Sequence, residues 1–246
     1  MQDVDRALAR AYARRGASNE APAVPPAPHF VVEPTRDGTT LEWPATVRTL
    51  EREHGERFRR LADALLEVRE ARGIKVLLFT SCHRAEGRTT LVLTLARALA
   101  RRPGRTLLVD ADLSGPMIAR QLGLRPRVGF DDVIEGGKAL ADAIVEAPDD
   151  HLSVLPLRAS VAAPREFVAS PAWSCTMAKL RREYDLILLD GSPLFAGLSA
   201  AVLHRSVDAA VLVHHRALTG ERAVVRAREV LEAGGIPLLG MAETFV

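Results

Sequence analysis

The sequence predicts an α/β domain with a predominantly parallel sheet and helices on both faces, and three observations carry that expectation. Short apolar runs recur at 76–79, 106–109, 152–155, 186–189, 209–213 and 238–241, each bounded by charged or turn residues. Helical patterns fill most of the gaps, clearest at 89–101, 172–182, 197–205 and 220–233. Near-continuous apolar strands separated by helices indicate a sheet buried on both faces. The third observation is that the runs at 76–79, 106–109 and 186–189 lead into a glycine-containing loop or into aspartates. In such a sheet, ligands sit beyond the carboxyl ends of the strands.

Taken in chain order, residues 4–15 place Val4, Leu8, Ala11 and Tyr12 on one helical stripe, with Asp3 as N-cap and Arg6, Arg10, Arg14 and Arg15 elsewhere. A short basic amphipathic helix over 1–15 fits this pattern. It is either a docking helix or a tail that frays, since an isolated helix of this length is marginal in water. Residues 16–47 hold six of the fifteen prolines, a composition that sustains no helix, and are expected to be a linker. The main α/β domain then covers 48–246. It opens with a helical pattern over 49–72, where Leu50, Phe58, Leu61, Leu65, Leu66 and Val68 form an apolar stripe and Gly73 is the stop.

Composition narrows the function classes. With 33 basic and 31 acidic side chains the formal charge is only +2, so the electrostatic footprint of nucleic-acid binding is missing and none is expected as a partner. Cys82 and Cys175 form neither a disulfide framework nor a metal-ligand spacing. No apolar stretch reaches the 18 or so residues that would span a bilayer, and the N-terminus lacks a signal-peptide core. The chain therefore reads as reduced and cytoplasmic. Any work at a membrane requires a partner that holds it there.

Three motifs sit where the strands end. The run at 76–79 leads into Thr80-Ser81-Cys82-His83-Arg84-Ala85-Glu86-Gly87-Arg88-Thr89-Thr90 and then a helix. A helix N-terminus offers free N–H groups and a positive dipole end, Gly87 admits close backbone approach, and the Thr89 hydroxyl suits a magnesium ion. A regular phosphate loop has Lys at position 88. Arg88 keeps the charge, but a planar guanidinium does not simply replace a compact ammonium between two phosphates. The second motif is Leu107-Leu108-Val109-Asp110-Ala111-Asp112. Two carboxylates at a strand end can hold a metal through water and accept a proton from an attacking hydroxyl. An aspartate there also serves as N-cap of the next helix, and both readings stand. The third is Leu186-Ile187-Leu188-Leu189-Asp190, a buried strand ending in a carboxylate as a Walker B aspartate does.

With these motifs in place, residues 56–246 resemble the bacterial tyrosine kinases of capsule and exopolysaccharide biosynthesis, a branch of the deviant P-loop ATPases that includes septum-site and partition ATPases. That family has E-x-x-R-x-x-R on a helix, then TSxxPGEGKST, a DADLRRP-type segment and YDYVIIDTPP. The matching stretches here are 56–62, 80–90, 110–116 and 184–193, and the less chemical stretches 128–136, 152–156 and 164–167 agree as well. The N-terminal 4–11 is similar to the leader helix of exosortase-associated members. The resemblance implies a P-loop NTPase fold of the deviant Walker type. It also implies ATP or ADP over Ala85, Glu86, Gly87, Arg88, Thr89 and Thr90, magnesium near Thr89, Asp112 and Asp190, and Asp110 and Arg88 as catalytic groups. A membrane-bound polysaccharide chain-length or co-polymerase protein is the implied partner, recruiting the chain to the inner face of the membrane.

The departures from that pattern are specific. Arg88 stands for the Walker lysine, Ala85 for a loop glycine, Arg84 for the loop proline, Ser114 for an arginine of the second motif, and Thr244 for the Asn associated with adenine recognition. Arg59 survives in the helix motif used for ring assembly, but Ala62 replaces its second arginine, so only weak self-association is expected. The C-terminal tyrosine cluster is missing, since Tyr12 and Tyr184 are the only tyrosines, and Tyr184 precedes a core strand and should be packed. The reading is an ATP-binding, tyrosine-kinase-like regulator with weakened or lost phosphoryl transfer, a pseudokinase candidate. The alternatives are an active tyrosine kinase or ATPase that phosphorylates another protein, and a partition-type positioning ATPase. Partition relatives carry an early loop lysine where this chain has Cys82 or His83.

Overall fold

The computed structural model describes residues 39–196 and 206–244. The helix expected over 1–15, most of the linker and the helix expected over 197–205 lie outside the described residues. In chain order the elements are α1 (Ala45–Arg72), β1 (Val76–Ser81), α2 (Arg88–Leu99), β2 (Thr106–Ala111), α3 (Ile118–Gln121), α4 (Phe130–Gly136), α5 (Leu140–Ala143), β3 (Val145–Ala147), β4 (Leu152–Leu155), α6 (Pro164–Ala169), α7 (Pro171–Glu183), β5 (Leu186–Gly191), β6 (Ala209–His215), α8 (Glu221–Ala233) and β7 (Leu238–Thr244). All six apolar runs are strands. They join β3 in one sheet of order β3-β4-β2-β5-β1-β6-β7. The pairings are parallel except that of β3 with β4.

Alternation along the central strands divides the core between two faces. Val76 and Leu78 of β1 and Ile187 and Leu189 of β5 join Phe130, Phe167, Trp173, Met177 and Leu180 of α4, α6 and α7. Leu77, Phe79, Leu108 and Leu188 point the other way, into Val92, Leu95 and Leu99 of α2 and Ala62 and Leu65 of α1. On the first face Trp173 lies 5.1 Å from Phe130 and 5.8 Å from Phe167, centroid to centroid. Trp173 also donates its indole N–H to Ser206 Oγ at 2.8 Å.

Two details of α1 differ from the sequence pattern. Leu61 is 39% exposed whereas Ala62 is fully buried, so the apolar stripe runs through the alanine. The packed domain also begins before residue 48. Leu41, Trp43 and Val47, within the stretch expected to be linker, are buried. The Trp43 indole donates to Asp150 Oδ1 at 2.8 Å, and the Glu42 N–H donates to the Leu122 carbonyl at 3.0 Å. Pro44 ends this extended stretch and starts α1, which closes at Gly73 in the left-handed conformation, φ 67°. Among the described residues, no helix is long and apolar enough to cross a membrane.

Asp208, just before β6, ties three segments together. One carboxylate oxygen accepts the backbone N–H groups of Lys75 and Val76, each at 2.8 Å, and both oxygens take the Arg181 guanidinium at 2.8 and 2.9 Å. Burial alone would raise this carboxyl, but Arg181 and the two N–H groups outweigh it and hold Asp208 below the usual carboxylate range. Asp208→Ala should cost about 3 kcal/mol by chemical denaturation, the scale of a partly buried charged pair. Because the folded-state pKa is depressed, that stabilisation is present above the ordinary value and is lost as Asp208 takes up a proton in acid. The gap between wild type and variant should therefore close below about pH 4.

Candidate phosphate site

The site is built at the carboxyl ends of β1, β2 and β5. The loop 82–87 leaves β1 and enters α2 with Ala85 at φ 63° and Gly87 at φ 77°, both left-handed. For an alanine this conformation costs roughly 1 to 2 kcal/mol. The first backbone bond of α2 runs from the Leu91 N–H to the Gly87 carbonyl at 2.9 Å. The N–H groups of Arg88, Thr89 and Thr90 thus have no intrahelical acceptor and stand at the end of the helix with its dipole. A cavity of about 250 Å³ opens here, lined among others by Arg84, Ala85, Gly87, Arg88, Thr89 and Thr90.

Glu86 sets the loop's shape. Its carboxylate accepts the His83 N–H at 2.8 Å and the hydroxyl of Thr219, and its carbonyl accepts the Thr244 hydroxyl at 2.7 Å. Glu86, expected in the nucleotide loop, thus lines the cavity while its side chain turns into the protein and clamps the loop to the segments after β6 and at the end of β7. Cys82 is inert packing beneath it. Its thiol donates to the Ala223 carbonyl, and burial, assisted by the Glu86 charge, pushes it up to about 11.

Arg88 is buried at the floor of the cavity, and all three guanidinium nitrogens are used. Nε donates to Asp190 Oδ1 at 2.8 Å, one terminal nitrogen to Asp112 Oδ2 at 2.9 Å, and the other to Ser81 Oγ at 3.0 Å. The remaining carboxylate oxygens are engaged too. Thr89 donates to Asp190 Oδ2 at 2.7 Å and Ser192 to Asp112 Oδ1 at 3.0 Å. Arg84, half exposed on the cavity wall, adds a contact to Asp112 Oδ2 at 3.2 Å. Burial would lower the Arg88 guanidinium, but Asp190 and Asp112 hold it above its ordinary value, so it carries its charge at any working pH. Burial raises Asp190 in spite of Arg88 and Thr89.

Asp110 takes the capping alternative. Its Oδ2 accepts the N–H groups of Met117 and Ile118 at 3.0 and 2.9 Å, at the start of α3, and Oδ1 accepts that of Asp112 at 3.2 Å. The proposed proton acceptor is thus engaged by backbone behind the cavity. Asp110 is also the register partner of Asp190 across β2 and β5. Burial first, then the neighbouring Asp190 charge, lifts it to about 7. Sequence reasoning missed Ser81, Ser192 and Thr219, and assigned no contact to Arg84. Each is a common residue whose contribution depends on a partner far along the chain. Tyr184 is packed as expected, 2% exposed with the Arg105 guanidinium over its ring.

No family model matches the chain. The tyrosine-protein kinase CpsD of Streptococcus pneumoniae is 27% identical over 169 residues, covering 68% of this chain and 74% of that protein. The tyrosine-protein kinase YwqD of Bacillus subtilis is 27% identical over 188 residues, covering 76% and 79%. The VpsO kinase domain superposes with a TM-score of 0.70 at 27% identity, over 80% of this chain and 98% of that one. In sequence and in fold the chain is a homologue of the bacterial tyrosine-protein kinases. The septum site-determining protein MinD of Pyrococcus horikoshii, solved with Mg-ADP, shares the fold of this kinase homologue at a TM-score of 0.55 and 24% identity, over 68% of each chain.

Thr89, Asp112 and Asp190 do converge, as a magnesium site would require. The place between the two carboxylates, however, is filled by Arg88. All four of their oxygens already accept a hydrogen bond from the protein, and the buried polar side-chain atoms left without one among the described residues, Arg97 Nε and His214 Nδ1, are not cavity-lining groups. The donor set as arranged in this kinase homologue does not fit a divalent metal. The phosphate cradle itself, a left-handed loop and a helix N-terminus beside Arg84, fits an anion. Ala85→Gly should relieve the loop and leave stability unchanged or raise it by up to about 1 kcal/mol, read from the thermal midpoint, whereas Ala→Gly elsewhere in ordered backbone costs about that much.

Proposed function

We propose that this chain is an ATP- or ADP-binding, tyrosine-kinase-like regulator of exopolysaccharide or capsule biosynthesis in which phosphoryl transfer is weakened or lost. The observation that carries the reading is the direction of Arg88. The positive charge that should lie along the transferred phosphate is instead committed to Asp190, Asp112 and Ser81 at the floor of the cavity. Removing one positioned donor from a developing charge typically costs ~10² to 10³ in rate. Asp110, the candidate proton acceptor, is likewise taken by the start of α3. Binding depends less on either residue, because the loop N–H groups and Arg84 remain at the cavity.

The partner in this reading is a membrane-bound polysaccharide chain-length or co-polymerase protein, which recruits a cytoplasmic chain through the apolar stripe of Val4, Leu8 and Tyr12. The tether then ends before the packed Leu41. Self-association is weak, because position 62, where the resemblance has an arginine, is a buried alanine and Glu56 is held by Arg59 and Arg60 of its own helix.

Calorimetric titration should show ADP binding that Arg84→Ala weakens by about tenfold, the worth of one charge-assisted contact. Phosphate release from ATP should stay far below the ~1 to 100 per second of active kinases. Undetectable binding would remove the nucleotide reading, and turnover in that range would remove the weakened-catalysis one. Light scattering at micromolar concentration should give monomer or dimer, and a stable octamer would contradict weak self-association.

A further inference from the structure

We propose that Arg88 is the resident cation of this site, taking the place between Asp112 and Asp190 that a divalent metal would occupy, so that the phosphate ligand is held without a metal. The identity of the ligand rests on the nucleotide reading above. The placement of Arg88 does not.

The first argument is the match of donors to acceptors. A guanidinium has a rigid fork of N–H groups. Here the three nitrogens meet Asp190, Asp112 and Ser81 at 2.8 to 3.0 Å, so the fork joins two carboxylates on different strands and a hydroxyl at the end of β1. A lysine ammonium is a compact point charge on a flexible stem and cannot span these positions in the same planar way. The second argument is electrostatic. Asp110, Asp112 and Asp190 are all buried at neighbouring strand ends, and Arg88 is the buried cation among them. A divalent ion entering beside it would share the same two carboxylates and face the guanidinium directly, where water does not screen the repulsion. The third is that the site has a separate cation for the ligand. Arg84 stands half exposed on the cavity wall, and its contact with Asp112 is the longest in the group, 3.2 Å. Arg84 and the N-terminal turn of α2 receive the phosphates while Arg88 neutralises the carboxylates beneath them.

The competing behaviour is a guanidinium that swings out to the phosphates and vacates Asp112 and Asp190 for a metal. Manganese titration of the full chain, with free ion read by electron paramagnetic resonance, separates the two. Wild type should take up no manganese at millimolar concentration. Arg88→Gln, and Arg88→Lys if the first variant fails to fold, should bind it at least about tenfold more tightly than wild type. Asp190→Asn added to the binding variant should abolish that gain. In parallel, ADP affinity of wild type should agree within about twofold in magnesium and in EDTA. Manganese uptake by wild type, a folded variant pair that gains none, or ADP binding that requires magnesium would each overturn the proposal. If ADP fails to bind at all while the manganese results hold, the nucleotide reading falls and Arg88 as resident cation stands.

Discussion

The ion-pair group of Arg88 with Asp112 and Asp190 is the constraint around which the rest of the site is arranged. Parallel strands run about 4.8 Å apart, so carboxylates that are register partners, as Asp110 and Asp190 are, stand side by side. With Asp112 just beyond β2, the fold has gathered three buried acids within two neighbouring strand ends. Left alone, such a group resists ionisation. The protein answers with a guanidinium on two of them and with backbone N–H groups on the third, whose pKa still rises to about 7. Breaking a buried pair of this kind is usually more costly than never having built it, which argues that Arg88 is held in place by the fold as much as by function.

The sheet order explains why these groups meet. β1 lies between β5 and β6, and β5 lies between β1 and β2, so the loop before α2 hangs over the ends of strands that are distant in sequence. Close passage of β1 and β5 is part of this. A Cβ at Gly191 would come within 2.5 Å of Leu78 Cδ1 and 3.2 Å of the Phe79 carbonyl. Glycine immediately after Asp190 thus lets β5 lie against β1 at the level where Thr89 and Arg88 reach across.

Most of the fold was legible because six of the seven strands carry short apolar runs bounded by charged or turn residues, with β1, β2, β4 and β5 buried throughout. β3 was not, since three residues, two of them only partly buried, on an antiparallel edge leave no periodic trace. The boundary of the domain was hidden by composition. Proline and small residues marked 16–47 as linker, yet Glu42 and Trp43 are anchored by partners some eighty and a hundred residues away. At the site, the residue types at the strand ends were readable from motif spacing, and so was the left-handed Ala85, because a glycine position carries its φ with it. The direction of a long side chain is a different matter. Arg88 had phosphate and carboxylates as rival acceptors, and only the coordinates of Ser81, Asp112 and Asp190 together decide between them. Asp110 was ambiguous between capping and catalysis for the same reason.

The clamp on Glu86 has a consequence for how the protein is made. The loop at 83–87 is synthesised well before the residues that fix its shape, Thr219 and Thr244, which lie 133 and 158 residues beyond Glu86. Contacts of such separation form only after the intervening chain has closed. A nascent chain therefore carries the loop without its final geometry until β7 has left the ribosome and paired with β6. A ligand that needs the finished loop has no site until β6 and β7 are in place.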